Sequence, residues 1–278
     1  MRALEPEVVE VLWQAVEPLL PIRTDAHPLG CHRRRAPDRL CFWGILIRLV
    51  TGSSWVDIEA ILEHQVSDTT LRDRRDEWID AGVFDALKAE ATAGYDRIVG
   101  LDMANVAVDG SLHKAPYGGE GTGPNPTDRA KLGWKWSVAS DGHGVPIGWA
   151  IDGANRNDIP MLEPTLDAVA EAGLLADIET LHLDRGYDYP AVRERLAKRG
   201  LTDLDVQRRG TKTPGDKQRL TLGLRWVVEA TNSWWSNYGQ LRRNTDRRSR
   251  HRHAALCLAT TVLIIGKLID WRDRWAFA

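Results

Sequence analysis

Through the first third of the chain, apolar residues recur at helical spacing. Val8, Leu12, Ala15 and Leu19 form one stripe, and Leu40, Trp43, Ile47 and Val50 form another. No run alternates like a strand before about residue 95, so the pattern predicts an all-helical segment over 1–95. Inside it, Trp55–Glu63 and Asp68–Ile79 predict two short helices joined by His64-Gln65-Val66, with Ser67 placed to cap the second. The period then changes. Asn105–Gly110 predicts a strand, Gly- and Pro-rich Tyr117–Pro126 a loop, and Trp134–Ser140 with Val145–Asp152 a hairpin about Asp141-Gly142-His143-Gly144. Asp158 predicts an N-cap, with Pro160 just inside a helix that runs to Glu171. Glu179–Leu183 reads as a strand, Pro190–Arg199 as a helix ended by Gly200, Leu204–Arg208 as a strand and Leu224 to about Tyr238 as a helix.

Three antiparallel strands lead into parallel ones. The order predicts an α/β class in which a mixed five-stranded sheet with flanking helices resembles an RNase H-like fold. It also divides the chain into a small helical N-terminal domain, 1–95, and a larger RNase H-like domain, 100–278, with basic C-terminal helices.

Composition changes this picture in one respect. The 43% hydrophobic and 27% charged content is that of a folded soluble protein, and the formal net charge of -2 argues against a nucleic-acid partner only if charge is even along the chain. It is not even: Val206–Arg252 carries twelve Lys/Arg against three Asp/Glu, a local balance of +9. A run of this kind fits a solvated face as well as a DNA-binding one. Cys31, Cys41 and Cys257 are too few and too scattered for a disulfide framework or a paired-Cys zinc site, which points to a reducing cytoplasm. Glu5, Glu7 and Glu10 argue against a signal peptide, and Ala254–Ile265 is too short for a membrane span and reads as a buried helix.

The candidate chemistry lies in three acids. Asp109 ends the first strand, Asp184 ends the fourth and Glu229 lies in the last helix of the sheet unit. The first and fourth strands are neighbours in this topology, so the two aspartates fall side by side where sites form in open sheets. Three carboxylates in one place repel unless a cation neutralises them, and oxygen-only donors select Mg²⁺ or Mn²⁺. His182 reads as a packed histidine, and His251 and His253 as part of the basic stretch. Along the last helix, Val227, Ala230, Trp234, Tyr238 and Leu241 predict the core stripe, while Arg225, Glu229, Asn232, Ser233 and Ser236 predict a polar stripe facing the site. Taken alone, Glu229 fits an ordinary solvated partner of Arg225 better than a metal ligand.

Four motifs carry a resemblance covering nearly the whole chain. Val106-Ala-Val-Asp109-Gly-Ser111, Gly153-Ala-Asn-Arg-Asn-Asp158, Leu183-Asp184-Arg-Gly-Tyr187 and Arg225-Trp-Val-Val-Glu229 occur in the order found in DDE transposases of bacterial insertion sequences. The chain resembles their IS-five-like branch. That resemblance implies that Asp109, Asp184 and Glu229 hold two Mg²⁺ or Mn²⁺ ions, with no organic cofactor. It implies cleavage at the terminal inverted repeats, joining of the freed 3′-hydroxyls to target DNA, and a homo-oligomer when DNA is bound. A nuclease that cuts without joining and a domesticated DNA-binding protein are the rivals. The chain departs from the wider family pattern at Leu222, Ala230 and Ser236, where relatives carry Tyr, Arg, and Lys or Arg.

Arginines supply the candidate DNA contacts. Arg72, Arg74 and Arg75 lie on the second helix of the helix-turn-helix-like pair, a spacing that a plain helical hairpin shares. Arg225, Arg242, Arg243, Arg247 and Arg248 lie on or just after the helix that carries Glu229.

Overall fold

A computed structural model describes residues 3–22, 35–206 and 225–276, without the side chains of Arg225 and Ala276. Cys31, Arg208, Leu222 and Leu224 lie outside the described residues. The helices are α1 (Pro6–Val16), α2 (Asp38–Thr51), α3 (Trp55–Ile61), α4 (Asp68–Asp80), α5 (Val83–Ile98), α6 (Asp158–Glu171), α7 (Pro190–Lys198), α8 (Arg225–Ser236), α9 (Gly239–Arg242) and α10 (Ser249–Ala276). The strands are β1 (Asn105–Lys114), β2 (Gly123–Pro124), β3 (Leu132–Ser140), β4 (Pro146–Gly153), β5 (Thr180–Leu183) and β6 (Leu204–Val206). The chain divides into two compact units. Unit 1 is Met1–Gly94, Asn237–Asn244 and Arg250–Ala278, and unit 2 is Tyr95–Ser236 and Thr245–Ser249.

Unit 1 is helical. Ser54 and Asp57 close a capping box at the start of α3, each accepting a backbone N–H of the other at 3.2 Å. Ser67 caps α4 by accepting from the Thr70 N–H at 3.3 Å. Between them Glu63 and His64 turn the chain at φ 52° and 57°. Helix α10 is long and apolar enough to cross a membrane, yet Leu256, Cys257, Ala259 and Ile264 on it are buried inside the protein. It is a core helix, as its sequence pattern predicts. Where α2 ends, the backbones of Gly52 (φ 72°) and Gly239 touch: a Cβ on Gly239 would stand 2.3 Å from the Thr51 carbonyl oxygen.

Unit 2 is built on a mixed sheet. Its spatial order is β4-β3-β1-β5-β6, with β1/β3 and β3/β4 antiparallel and β1/β5 and β5/β6 parallel. That is the strand order of an RNase H-like sheet. The two-residue β2 adds a sixth strand beside β3, inside the segment that composition assigns wholly to a loop. Pro124 is compatible with that place because the strand is short and peripheral. One face of the sheet is packed through Val106, Val108, Leu181 and Leu183 against Leu162, Leu166 and Val169 of α6 and Val192 and Leu196 of α7.

On the other face lies α8. Its Trp235 ring meets Trp136 and Trp149 edge-on, each with centroids 5.4 Å away. Two sequence expectations change here. The buried stripe runs through Val228, Thr231 and Trp235 rather than Ala230 and Trp234, and the helix stops at Ser236, so Tyr238 and Leu241 belong to the next segment. The cause is the tryptophan cluster, which sets the rotation of the helix about its axis. At α6, Asn157 occupies the N-cap position and Asp158 is the first helical residue. The Asp158 carboxylate is taken by Lys135 Nζ at 2.5 Å and is not folded back onto the helix.

Candidate active site

Strand β1 continues antiparallel to β3 as far as Lys114, whereas β5 stops at Leu183. Asp109 therefore lies mid-strand, at the point where β1 loses its parallel neighbour, and not at the strand end that the sequence predicts. The last parallel pair is Val108 with Leu183. One residue further along each strand come Asp109 and Asp184, side by side on the sheet face opposite the Val108–Leu183 core. Both are half-buried. The Arg185 N–H donates to Asp184 Oδ1 at 2.6 Å and opens a 3-10 turn that carries the chain away from the strand.

The rotamer of Asp109 is fixed from α8. Trp136 Nε1–H donates to Asn232 Oδ1 at 2.7 Å, and Asn232 Nδ2–H donates to Asp109 Oδ2 at 3.0 Å. This buried relay runs from β3 through α8 to β1. Glu229 precedes Asn232 by three residues, so it shares that face one turn earlier, where it is exposed. The three carboxylates do not form a closed cluster. Among the described residues the one set of three His, Cys, Asp or Glu whose ligand atoms all lie within 4.8 Å of one another is Asp85, His253 and Cys257.

Neighbouring groups shape the electrostatics. The Tyr187 hydroxyl is pushed up, first by burial and then by the carboxylates of Asp158, Asp109 and Asp184, so it stays protonated at working pH. His113, on the same face of β1 as Asp109, stacks on Trp136 at 3.7 Å, and burial pushes it down to about 3. It is a neutral packing group. Gly110 lets Lys135 and Asp158 meet beside the strand, since a Cβ there would stand 2.4 Å from Asp158 Oδ1 and 2.8 Å from Lys135 Cε. His182 has Nδ1 2.9 Å from Asp205 Oδ2 and Nε2 3.1 Å from Asn105 Oδ1, which makes it the packed histidine its sequence position suggests. Oxygen donors of this kind could hold a hard divalent cation. The sequence places Asn232 on the polar stripe, but its grip on Asp109 depends on Trp136, 96 residues away in the chain.

The candidate DNA contacts separate into two groups. Arg74 is 3% exposed and pairs with Asp38, and Arg75 is 7% exposed, donates to Asp76 at 2.8 Å and lies over the Trp55 ring. Their guanidinium groups are engaged within unit 1. Arg72 is partly exposed beside Asp68 at 2.7 Å. Arg242, Arg243, Arg247 and Arg248 are exposed, and the Arg225 side chain lies outside the description.

The sheet order and the paired aspartates define an RNase H-like α/β protein with an acidic site. The family model "Transposase DDE domain" matches residues 101–265, and "Putative transposase of IS4/5 family" matches residues 9–88. The chain belongs to the DDE transposase family. It is 37% identical over 139 residues to "Putative transposase for insertion sequence element IS402" of Burkholderia cepacia, an alignment covering 48% of this chain and 63% of that protein. It is 32% identical over 122 residues to "Insertion element IS402 uncharacterized 16.2 kDa protein" of the same organism, covering 44% of this chain and 82% of that one. The chain thus spans under two thirds of the first relative. A solved pre-cleavage Mos1 transpososome aligns over 89% of this chain and 82% of its own at 11% identity, with a TM-score of 0.27. At that score the alignment adds nothing to the strand order read from the sheet itself.

Proposed function

We propose that the protein is a DNA transposase that binds the terminal inverted repeats of an insertion sequence, cuts at their ends and joins the freed 3′-hydroxyls to target DNA. The observation that carries this reading is the pairing of Asp109 and Asp184 on adjacent parallel strands, with Asn232 of α8 gripping Asp109 and Glu229 one turn away. The donor set fits two Mg²⁺ or Mn²⁺ ions held by Asp109, Asp184 and Glu229. When bound, such ions supply Lewis-acid activation of the attacking oxygen and stabilise the leaving one.

The chain's own residues do the rest. The Trp136–Asn232 relay holds Asp109 in one orientation, and the Arg185 N–H does the same for Asp184. Glu229, exposed on α8, can close onto the aspartates once a cation offsets their repulsion. Arg242, Arg243, Arg247 and Arg248 would contact phosphates of either DNA, and of the α4 arginines only the partly exposed Arg72 would join them. Binding two element ends at once would call for a homo-oligomer.

Oligonucleotides carrying the inverted repeats that flank the coding sequence test this directly. Asp109→Asn, Asp184→Asn and Glu229→Gln should each lower Mg²⁺-dependent cleavage and joining by roughly 10³-fold or more, with end binding retained. Near wild-type cleavage by any one variant would remove that residue from the site. Pre-cut ends separate a transposase from a nuclease, because only the former yields joined product.

A further inference from the structure

Unit 1 contains a donor cluster that transposition chemistry does not use. His253 and Cys257 stand four residues apart on α10, so both project from one strip of that helix. Asp85, in the first turn of α5, completes the cluster. His253 Nε2 lies 2.7 Å from Asp85 Oδ1 and 3.5 Å from Cys257 Sγ, and Cys257 Sγ lies 3.6 Å from Asp85 Oδ1. In the sequence Cys257 has no partner cysteine nearby, and His253 sits in a basic run. The fold brings them to a carboxylate 168 residues away from His253.

These separations can be compared with those around a metal ion. A tetrahedral ion with bonds of about 2.3 Å to sulfur and about 2.0 Å to nitrogen or oxygen places its sulfur roughly 3.5 Å from each other donor. The same bond lengths place nitrogen and oxygen roughly 3.3 Å apart. Both sulfur edges of the cluster already have that length. Only the Asp85–His253 edge, now closed by a hydrogen bond, would have to open, by about 0.6 Å. Asp85 and His253 side chains are 60% and 44% exposed, so they can move, while Cys257 is fully buried and anchors the third corner.

We propose that Asp85, His253 and Cys257 form a surface site for a zinc-type divalent ion that links α5 to α10, with water as the fourth ligand. A nitrogen, a sulfur and an oxygen suit Zn²⁺ or Co²⁺ and do not suit Mg²⁺. Burial, and after it the Asp85 carboxylate, pushes the Cys257 thiol up, so the free site holds a thiol. Binding breaks the S–H bond, forms a metal–thiolate bond and releases one proton to solvent. The same ion exchanges the His253–Asp85 hydrogen bond for two metal bonds. Lys88, one turn along α5, is the cation whose field reaches both Asp85 and Cys257, and it weighs against a second positive charge. A moderate affinity is therefore expected.

Co²⁺ titration of the whole protein tests the site. A near-ultraviolet thiolate-to-cobalt charge-transfer band should appear, persist in excess Mg²⁺ and vanish on adding Zn²⁺. Cys257→Ser should abolish the band, whereas Cys31→Ser and Cys41→Ser should keep it. Asp85→Asn and His253→Gln each remove one ligand atom at a solvent-accessible side chain and leave the buried Cys257 in place. Each should weaken Co²⁺ binding at least as much as loss of an outer-shell partner does, roughly 10–100-fold. No band at saturating Co²⁺, a band that survives Cys257→Ser, or unchanged affinity in both exposed variants would overturn the assignment. An ion held only by Asp109, Asp184 and Glu229 gives no thiolate band, so the two sites are read independently.

Discussion

Both units bury polar side chains, but they put them to different uses. In unit 1, Arg74 and Arg75 are buried against Asp38, Glu77 and Asp76, and their charge is neutralised where it lies. In unit 2, the buried Trp136 and Asn232 pass their hydrogen bonds outward to Asp109, a carboxylate that remains half-exposed. The difference teaches that burial of a polar group does not by itself mark a functional place. What matters is whether the chain of partners closes on itself or ends on a group facing solvent. A closed chain stabilises; an open one orients.

The largest test of that contrast uses pH. His113 lies on the Asp109 face and packs its ring against Trp134 and Trp136, and burial holds it at about 3 against an ordinary value near 6.5. Its folded value is depressed, so the unfolded chain binds the proton first. Its contribution is fully present above about pH 6.5 and is lost progressively as pH falls toward about 3, up to an upper bound of several kcal/mol. His113→Phe should remove that slope from the variant's stability, so that the wild type loses stability relative to the variant as pH falls through this window. Equal slopes in urea denaturation would show that His113 is not held neutral.

Next comes Arg74→Ala, which should destabilise unit 1 on the order of 2–3 kcal/mol. That is less than the ~3–5 kcal/mol for a fully buried pair because Asp38 is itself half-exposed. Its effect on DNA affinity, measured well below the melting temperature, should be small. A large affinity loss with unchanged stability would put Arg74 at the DNA after all. Asn232→Leu should keep DNA binding and lower the cleavage rate roughly 10–100-fold, the usual cost of losing a group that orients a ligand. If the variant cleaves at the wild-type rate, the relay orients nothing that matters. The smallest effect is expected from Arg242→Ala with Arg243→Ala: a uniform loss across DNA sequences, and a slope of log K against log salt shallower by about 0.9 per lost contact. An unchanged slope would mean that these arginines form a solvated face.

Much of this architecture can be read from the sequence, for identifiable reasons. The strands announce themselves by alternation, and the aspartates by following short, largely apolar runs, so the sheet order and the neighbouring places of Asp109 and Asp184 follow from local signals. What escapes is set by contacts distant in sequence. The rotation of α8 depends on how Trp235 meets Trp136 and Trp149, and periodicity within the helix cannot distinguish Trp234 from Trp235. Asp158 looks like a cap until Lys135 arrives from β3. Arg74 and Arg75 carry the spacing of a DNA-reading helix, and only Asp38, from α2, shows that a guanidinium is already engaged. The Asp85–His253–Cys257 cluster is invisible for the same reason, although a His and a Cys four apart on a predicted helix are a signal that could have been weighed.

The touching backbones of Gly52 and Gly239 bear on how the protein is made. Unit 1 takes its first helices from before the sheet in the chain, yet it is completed by α9 and α10, which follow the sheet. The strands and helices of unit 2 all emerge in between, so a vectorially synthesised chain has every part of the sheet available before α2 can receive its final partner. Until then the end of α2 at Gly52 has no Gly239 to pack against. A nascent chain stalled before residue 237 therefore holds the acidic site without a finished N-terminal unit, and cannot complete that unit until synthesis resumes.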